Sequence, residues 1–583
     1  PQAFTGTVAF KTLVEGLLPG GISLDRGRAA MKGDFDFSGE TLRYRPEGCI
    51  LVESDGLAIS DTLSVPGPLS FCMKPHQGPF LEAVWSDGAV SHVRSNITIE
   101  ARHPVVNLLP LSGPKAIVRG APLRLLVKAD GPVTLDGLRA EARLDNIDIV
   151  VPDHHLGLNG LSLRIVQDGG TQEPAADLAV REIIDYRKPA MFKPLALASS
   201  FRMQGGKVAI NGKLNDTEKR ISAGFEGEHV LASSSGALTF RINPMTFDKT
   251  KRQLAWQFPV LKDFVQSATG LAMGAAFARW KPGKVGINAD LVAQKLSVKT
   301  TTRAVPGLGK PLTFRGGQVA VKAALLIDKG NMQSAGEILL EKISLEAGAM
   351  KAEQLNAVLA LNNLWPPSTP KKQAVSVAAV KVGIPLTNGK TFISLDRDGR
   401  FRMQDLTFHM AGGTISAKKL EIGGGTTESD VTLTVKDVDL NKLIALFEVD
   451  GLNASGNLEG AIPVILKDGS LIISDAHLAV DGGGVISYIP SSGGFGDHPA
   501  AGLAMKALKN FQYSDLGMVM NGEADGRVKA RFNIKGANPD LHNGYPLVLN
   551  FNVSGHLGEM LESGFGNYQV PETIKNRMFE FSQ

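Results

Sequence analysis

Apolar and polar residues alternate one for one in segment after segment of this chain, and that pattern excludes most folds. Leu138, Ala140, Ala142 and Leu144 alternate with Arg139, Glu141 and Arg143. Val285, Ile287, Ala289 and Leu291 alternate with Gly286, Asn288 and Asp290, and Val431, Leu433 and Val435 with Thr432, Thr434 and Lys436. Val528, Ala530, Phe532 and Ile534 sit between Arg527, Lys529, Arg531, Asn533 and Lys535; Leu547, Leu549, Phe551 and Val553 follow beside Asn550 and Asn552. Successive side chains of a strand point to opposite faces, so each segment is a strand with one dry and one wet face. Antiparallel sheets read this way, whereas parallel sheets covered by helices read as continuous apolar runs.

Hairpin-type dipeptides punctuate the pattern: Asp130-Gly131, Asp136-Gly137, Asn388-Gly389, Asp398-Gly399, Asp468-Gly469, Asn521-Gly522 and Asp525-Gly526. The fold expected is mainly β, a long twisted antiparallel sheet of hairpins. The 65 glycines and 26 phenylalanines fit turn-rich β structure with a large dry interior. Helical spacing is confined to Leu440–Phe447, with weaker candidates at Val260–Ala278 and Ala500–Phe511. Each is expected to be a short amphipathic helix on a sheet end. No run of about 20 apolar residues is present, so no helix is expected to span a bilayer. The chain opens at Pro1 without a signal peptide. It therefore reads as a processed or truncated piece, with any targeting or anchoring segment outside it.

At 583 residues the chain is too long for one compact core. An internal repeat supports a modular build. Gly383-Ile384-Pro385-Leu386 leads to Gly412-Gly413-Thr414-Ile415-Ser416, as Ala461-Ile462-Pro463-Val464 leads to Gly483-Gly484-Val485-Ile486-Ser487. The prolines are expected at strand starts or sheet edges. Residues 365–372, rich in Pro, are expected to be an extended, exposed linker. The resulting division is an N-terminal β region over 1–120, β modules over 121–364 and C-terminal β modules over 373–583. Allowing about 17 residues per strand and turn, the chain makes on the order of 30 strands, which stack to roughly 150 Å at about 4.8 Å spacing.

Enzyme chemistry is not visible. The eleven histidines are scattered, and His154-His155, beside Asp153, point apart on extended chain. Metal-protease, CxxC, phosphate-loop and nucleophile-elbow motifs are missing, and Gly423–Gly425 and Gly482–Gly484 read as turns. Neither catalytic residues, nor a metal site, nor a cofactor is expected. A net charge of +4 implies no nucleic-acid partner; Arg527, Lys529 and Arg531 read as a solvated face. Cys49 and Cys72, close together in an otherwise cysteine-free chain, favour one local disulfide in an oxidising compartment, the alternative being two reduced buried thiols. A long one-sided sheet can close into barrels, pair into sandwiches, or curl into a groove whose apolar trough must hold something apolar. Alternation leaves all three open.

The C-terminal third carries a resemblance. Gly456-Asn457-Leu458-Glu459-Gly460-Ala461-Ile462-Pro463-Val464 is followed by Gly484–Pro490, Ala507–Tyr513, Gly536-Ala537-Asn538-Pro539 and Gly544-Tyr545-Pro546-Leu547 with Asn550. This order resembles the C-terminal domain of the YdbH family, within the AsmA-like group that includes TamB. Gly270–Trp280 with Val285–Val298 is similar to an AsmA-type module, and the paired Cys49 and Cys72 fit the family's N-terminal region.

The resemblance implies a repeating β-groove protein of the Gram-negative periplasm, anchored in the inner membrane through a segment outside this chain. It implies phospholipid movement between the two membranes, with a small outer-membrane lipoprotein as partner at the C-terminal end. On this reading Val431, Leu433, Val435, Val528, Ala530, Phe532, Ile534, Leu547, Leu549, Phe551 and Val553 line the lipid trough; ordinary core packing is the competing role. The alternative function is a scaffold assisting outer-membrane protein assembly, as suggested for TamB relatives.

Overall fold

The computed structural model describes residues 4–13, 23–60, 63–101, 105–110, 116–119, 124–133, 139–168, 173–216, 221–248, 254–302, 310–329, 331–348, 350–364, 366–382, 384–423, 428–446, 450–467, 470–489, 505–523 and 527–556. Among these, 36 strands join into one antiparallel sheet. From Arg124–Pro132 onward the order is nearly a meander. That strand pairs with Arg139–Val151, which pairs with Leu156–Gln167, and so on through Met350–Leu361 to Gln373–Val382. Nearer the N-terminus, long strands meet two shorter partners end to end. Leu63–Pro75 pairs with Ile50–Ser60 along one edge and with Ala89–Ala101 and Val105–Pro110 along the other. Cys49 and Cys72 are disulfide-bonded across the Ile50–Ser60 hairpin, their Cα atoms 5.5 Å apart.

Bulges interrupt the strands in a recurring form. The ladders shift between Leu144 and Ile147, Leu340 and Ile343, Val435 and Val438, and Ile473 and Ala476. In each case the residue just before the second apolar one has positive φ: Asn146, Lys342, Asp437 and Asp475. The extra residue returns the next side chain to the same face, bends the strand and increases its twist. Ile147, Ile343, Val438 and Ala476 are all at most 2% exposed.

Asp398-Gly399 forms the expected turn, closed by the Gly399 N–H donating to Asp396 O at 3.0 Å. Asp130-Gly131, Asn388-Gly389 and Asn521-Gly522 instead lie inside strands Arg124–Pro132, Ile384–Leu395 and Phe511–Glu523. Asn388, Gly131 and Gly522 have positive φ there, and a bulge uses that backbone freedom as readily as a turn does. The other three dipeptides lie outside the described residues. The helix expected over Val260–Ala278 is a short 3₁₀ turn, Pro259–Leu261, followed by strand Val265–Lys281. Its small residues satisfy a helical period as well as a two-residue one, and cross-strand pairing decides. Of Ala500–Phe511, residues 505–508 are helical and Phe511 begins a strand, while 500–504 lie outside the described residues. Helix Leu440–Ala445 forms as expected, with Phe447 outside the described residues.

Residues 366–372 are exposed at Pro366, Pro367, Lys371 and Lys372, as expected, but they are not a free-standing linker. Pro367–Ser368 pairs with Asn363–Leu364, Ser368 is buried, and the Ser334 hydroxyl donates to Asn363 Oδ1 at 2.8 Å. The main sheet runs past this hairpin, Lys351 opposing Lys381. Pro385 is near its strand's start. Pro463 is mid-strand, at the break in the ladder to Ser470–Asp481 between Ala461 and Val464, an irregularity that admits proline. No helix among the described residues is long and apolar enough to cross a membrane.

The largest core lies toward the C-terminus. Val435, Val438, Leu458, Leu478, Phe511, Tyr513, Leu516 and Ile534 are buried in one cluster. Ile415 and Ile486, equivalent in the internal repeat, are buried in it together. Leu452–Ala454 and Gly484–Tyr488 pair with each other, and the latter with Phe511–Glu523. Helix Leu440–Ala445 packs on the same cluster through Leu440, Leu443 and Ile444. Asp439 caps this helix, accepting from the Lys442 N–H at 3.1 Å. That bond, with the Lys442 charge, holds the Asp439 carboxyl below its ordinary pKa. Asn538, 3% exposed, donates from its amide to Lys506 O and Ala507 O at 2.9 and 3.1 Å and ties down the turn at 505–508.

Candidate functional site

Residues directly opposed in an antiparallel pair share a face of the sheet. Leu144 opposes Leu163, which opposes Leu178. Beyond the next strand, where Ser199 holds the row, Gly212 opposes Phe225, Phe225 opposes Phe240, and the row continues through Ala276, Ala289 and Ala323. On the C-terminal side Phe408 opposes Ile415, Ile415 opposes Val435, and the row runs on through Gly460, Leu478, Met518 and Phe532 to Phe551. Polar members of this face turn back on the backbone. The Ser199 hydroxyl donates to Asn211 O at 2.9 Å, the Thr391 hydroxyl to Gln404 O at 3.0 Å, and Gln373 Oε1 accepts from the Ala360 N–H at 3.0 Å.

Glycine and aromatic residues are paired across this face. A Cβ on Gly212 would lie 2.1 Å from the Phe225 ring, and one on Gly236 2.3 Å from the Trp280 ring. The rings occupy the space that glycine leaves, as in aromatic rescue of strand glycines.

The cover over the face differs along the chain. Between Val180 and Ile343 the buried apolar residues, among those described, are Ala223, Ala268 and Leu312. Large side chains such as Phe201, Ile210, Phe240, Ile287 and Leu325 are only half-buried. Leu291 is 43% exposed and Met332 66%. Toward the C-terminus the same face is shut under the core.

The expected trough residues fall on this one face, because strands Asn457–Lys467, Ser470–Asp481 and Phe511–Glu523 join their three strands in register. Val435, Val528 and Ile534 are buried. Val431, Leu433, Ala530, Phe532, Leu547, Leu549 and Val553 are half-buried; the Phe551 side chain lies outside the described residues. Sequence reasoning missed the joining strands, which supply Val464, Ile473, Ala476, Leu478 and Met520. Apolar residues on both faces hide the period in Asn457–Lys467, and the Asp475 bulge breaks it in Ser470–Asp481. The signal was present: an apolar–polar–polar–apolar step such as Ile473-Ser474-Asp475-Ala476 marks a bulge rather than a strand end.

The opposite face is largely polar, although across the central strands Met273, Val292, Ala320, Leu339 and Val358 form an apolar row on it. Arg527, Lys529 and Arg531 are exposed there. A concavity of about 1180 Å³ on that face spans the strands from Arg139–Val151 to Ser235–Phe247. Its charges are cross-paired: Arg164 with Glu141 at 2.8 Å, Arg143 with Asp145 at 2.7 Å and Arg241 with Glu226 at 2.6 Å. His154 ends a 3₁₀ turn joining two strands, with His155 at its cap. No group of three or more His, Cys, Asp or Glu among the described residues is placed to hold a metal.

One antiparallel sheet with an apolar face carried from strand to strand defines the class: a single-sheet β protein built around a continuous apolar surface. The family model of YdbH-like proteins, described as intermembrane phospholipid transport protein YdbH, matches residues 107–578. The chain belongs to the YdbH-like family, and phospholipid transport is the activity that family's name states. No curated protein matches the chain.

Proposed function

We propose that this chain is a periplasmic bridge whose apolar face conducts phospholipid acyl chains between the inner and outer membranes while headgroups stay in water. The observation that carries this reading is the apolar face between Val180 and Ile343, where the large apolar side chains of the strands, among the described residues, are half-buried or exposed rather than buried. A patch of that kind marks a site for an apolar partner. Burying an acyl chain there yields about 0.8 kcal/mol per methylene and needs no directional partner. Moving one strand further exchanges like surface for like, so the barrier to sliding is low. Near the C-terminus, Val431, Leu433, Ala530, Phe532, Leu547, Leu549, Phe551 and Val553 carry the path, and Val435, Val528 and Ile534 form the floor beneath it. The Cys49–Cys72 disulfide suits an oxidising compartment. Anchoring through a segment outside this chain, and a lipoprotein at the C-terminal end, complete the proposal on the family resemblance.

The test is lipid extraction and mass spectrometry on the purified, detergent-free protein. Several phospholipids per folded chain support a conduit. A folded chain without lipid, recovered with outer-membrane barrel precursors, points to an assembly scaffold instead. Leu291→Asp in the central stretch and Phe532→Asp near the C-terminus should each leave a folded sheet and stop transfer. Normal transfer by folded variants overturns the assignment.

A further inference from the structure

The last row of the apolar face before the turns holds a polar group that the conduit reading does not use. Val208 opposes His229, His229 opposes Gly236, and Gly236 opposes Trp280. The row goes on through Val285 and Ile327 to Met332. Directly opposed residues share a face, so His229 stands on the apolar face among apolar side chains. One position further out the hairpins turn, where Lys281 opposes Lys284 and Asp328 opposes Asn331.

His229 and Trp280 are held against each other. Their rings stack with centroids 6.0 Å apart and planes at 15°, and the indole N–H donates to His229 Nδ1 at 3.1 Å. Gly236, on the strand between them, leaves the indole room to reach across: a Cβ there would lie 2.3 Å from its ring. A neutral imidazole that accepts at Nδ1 carries its proton on Nε2. That N–H finds no acceptor among the described residues, and the half-buried ring leaves the atom open to solvent. The indole donor is already used. The row therefore offers one free side-chain donor, fixed in direction and set in apolar surface.

We infer that His229 Nε2–H binds the ester carbonyl of a phospholipid whose acyl chain lies on the face beside Trp280 and Val285. A lipid covering this row strips water from the Nε2–H, and a donor buried without a partner is unfavourable. The occupant must therefore bring an acceptor oxygen at the head of its apolar chain. With the chain on the face and the headgroup in water, the ester carbonyl stands at the boundary between them, and this row stands at the same boundary. Tryptophan suits that position, apolar in its body and polar at its N–H. A free fatty acid offers the same acceptor chemistry through its carboxylate. The inference rests on the conduit reading and names one of its contact sites.

The test uses the full chain with Trp85, Trp256 and Trp365 changed to Phe, so that Trp280 alone fluoresces. The probes are short-chain phosphatidylglycerols brominated on their chains, one ester-linked and one ether-linked, and a brominated fatty acid. Bromine quenches indole only at contact. Saturable quenching by the ester lipid is expected, with the ether lipid, which has no carbonyl, bound about three- to tenfold more weakly. His229→Phe, with a folded β spectrum retained, should abolish the difference between the two lipids; if that variant does not fold, the ester–ether comparison with His229 in place decides alone. Equal binding of ester and ether lipid overturns the carbonyl contact. An ester preference that survives in folded His229→Phe overturns His229 as the donor. Tighter binding of the fatty acid than of the ester lipid assigns the donor to a free carboxylate and overturns the phospholipid inference. No quenching, in protein that still co-purifies lipid, overturns the site and leaves the conduit standing; no co-purified lipid at all removes the conduit and the site with it.

Discussion

Strands Val265–Lys281 and Phe511–Glu523 present apolar residues to the same face of one sheet, yet they live in different surroundings. In the first, Ala272, Ala276, Ala278 and Trp280 are all half-buried. In the second, Phe511 is wholly inaccessible, and Tyr513 and Leu516 are under 5% exposed. Alternation is common to both. The difference is the lid: helix Leu440–Ala445, the turn at 505–508 and the paired strands Leu452–Ala454 and Gly484–Tyr488 cover only the C-terminal part. An apolar face is a core where segments of the same chain pack over it; among the described residues, the central strands keep that face only half-buried.

The sharpest way to break this comparison is truncation on each side. Phe511→Ala should destabilise by about 3–5 kcal/mol, read as a lower urea midpoint, whereas Leu291→Ala should shift it by less than about 1 kcal/mol. Equal shifts would mean that the central face is covered after all. Gly236→Val sharpens the same point within the open stretch. Its side chain would meet the Trp280 ring, at an expected expense of about 1–3 kcal/mol, and a changed Trp280 emission would report the displacement.

Next comes Asp185, at the end of strand Ala175–Asp185, whose side chain is fully buried. Burial pushes its carboxyl up. Hydrogen bonds from the Arg187 guanidinium at 2.8 Å and from the Met191 and Arg187 N–H groups at 2.6 and 3.1 Å outweigh burial and hold it below the ordinary value. The folded value is the lower one. The stabilisation is therefore complete above the ordinary carboxylate pKa of about 3.9 and is lost as pH falls through the folded value. Hydrogen exchange of the loop at 186–194 should accelerate below about pH 4, and Asp185→Asn should abolish that pH dependence.

The smallest effect expected belongs to the lid. Asp439→Ala removes the cap of helix Leu440–Ala445 and should cost about 1 kcal/mol, raising hydrogen exchange over 440–445 without altering the central strands. A change that spread to Val265–Lys281 would show that lid and open face are not independent.

By itself the sequence determined a mainly antiparallel β chain, the face to which Val431, Leu433, Val528 and Phe532 belong, and helix Leu440–Ala445. These follow from period two, period 3.6 and local capping, which act between near neighbours. It misplaced Asn388-Gly389 and Asn521-Gly522 and missed the pairing of Pro367–Ser368 with Asn363–Leu364. Positive φ serves bulges and turns alike, and a proline-rich stretch can fold back on a sheet it does not belong to. Tertiary structure alone decided which part of the apolar face is closed. Ile287 and Ile534 stand in equivalent alternating patterns; Ile534 is 2% exposed because segments distant in the chain pack over it, and no local pattern encodes where such a cover will land.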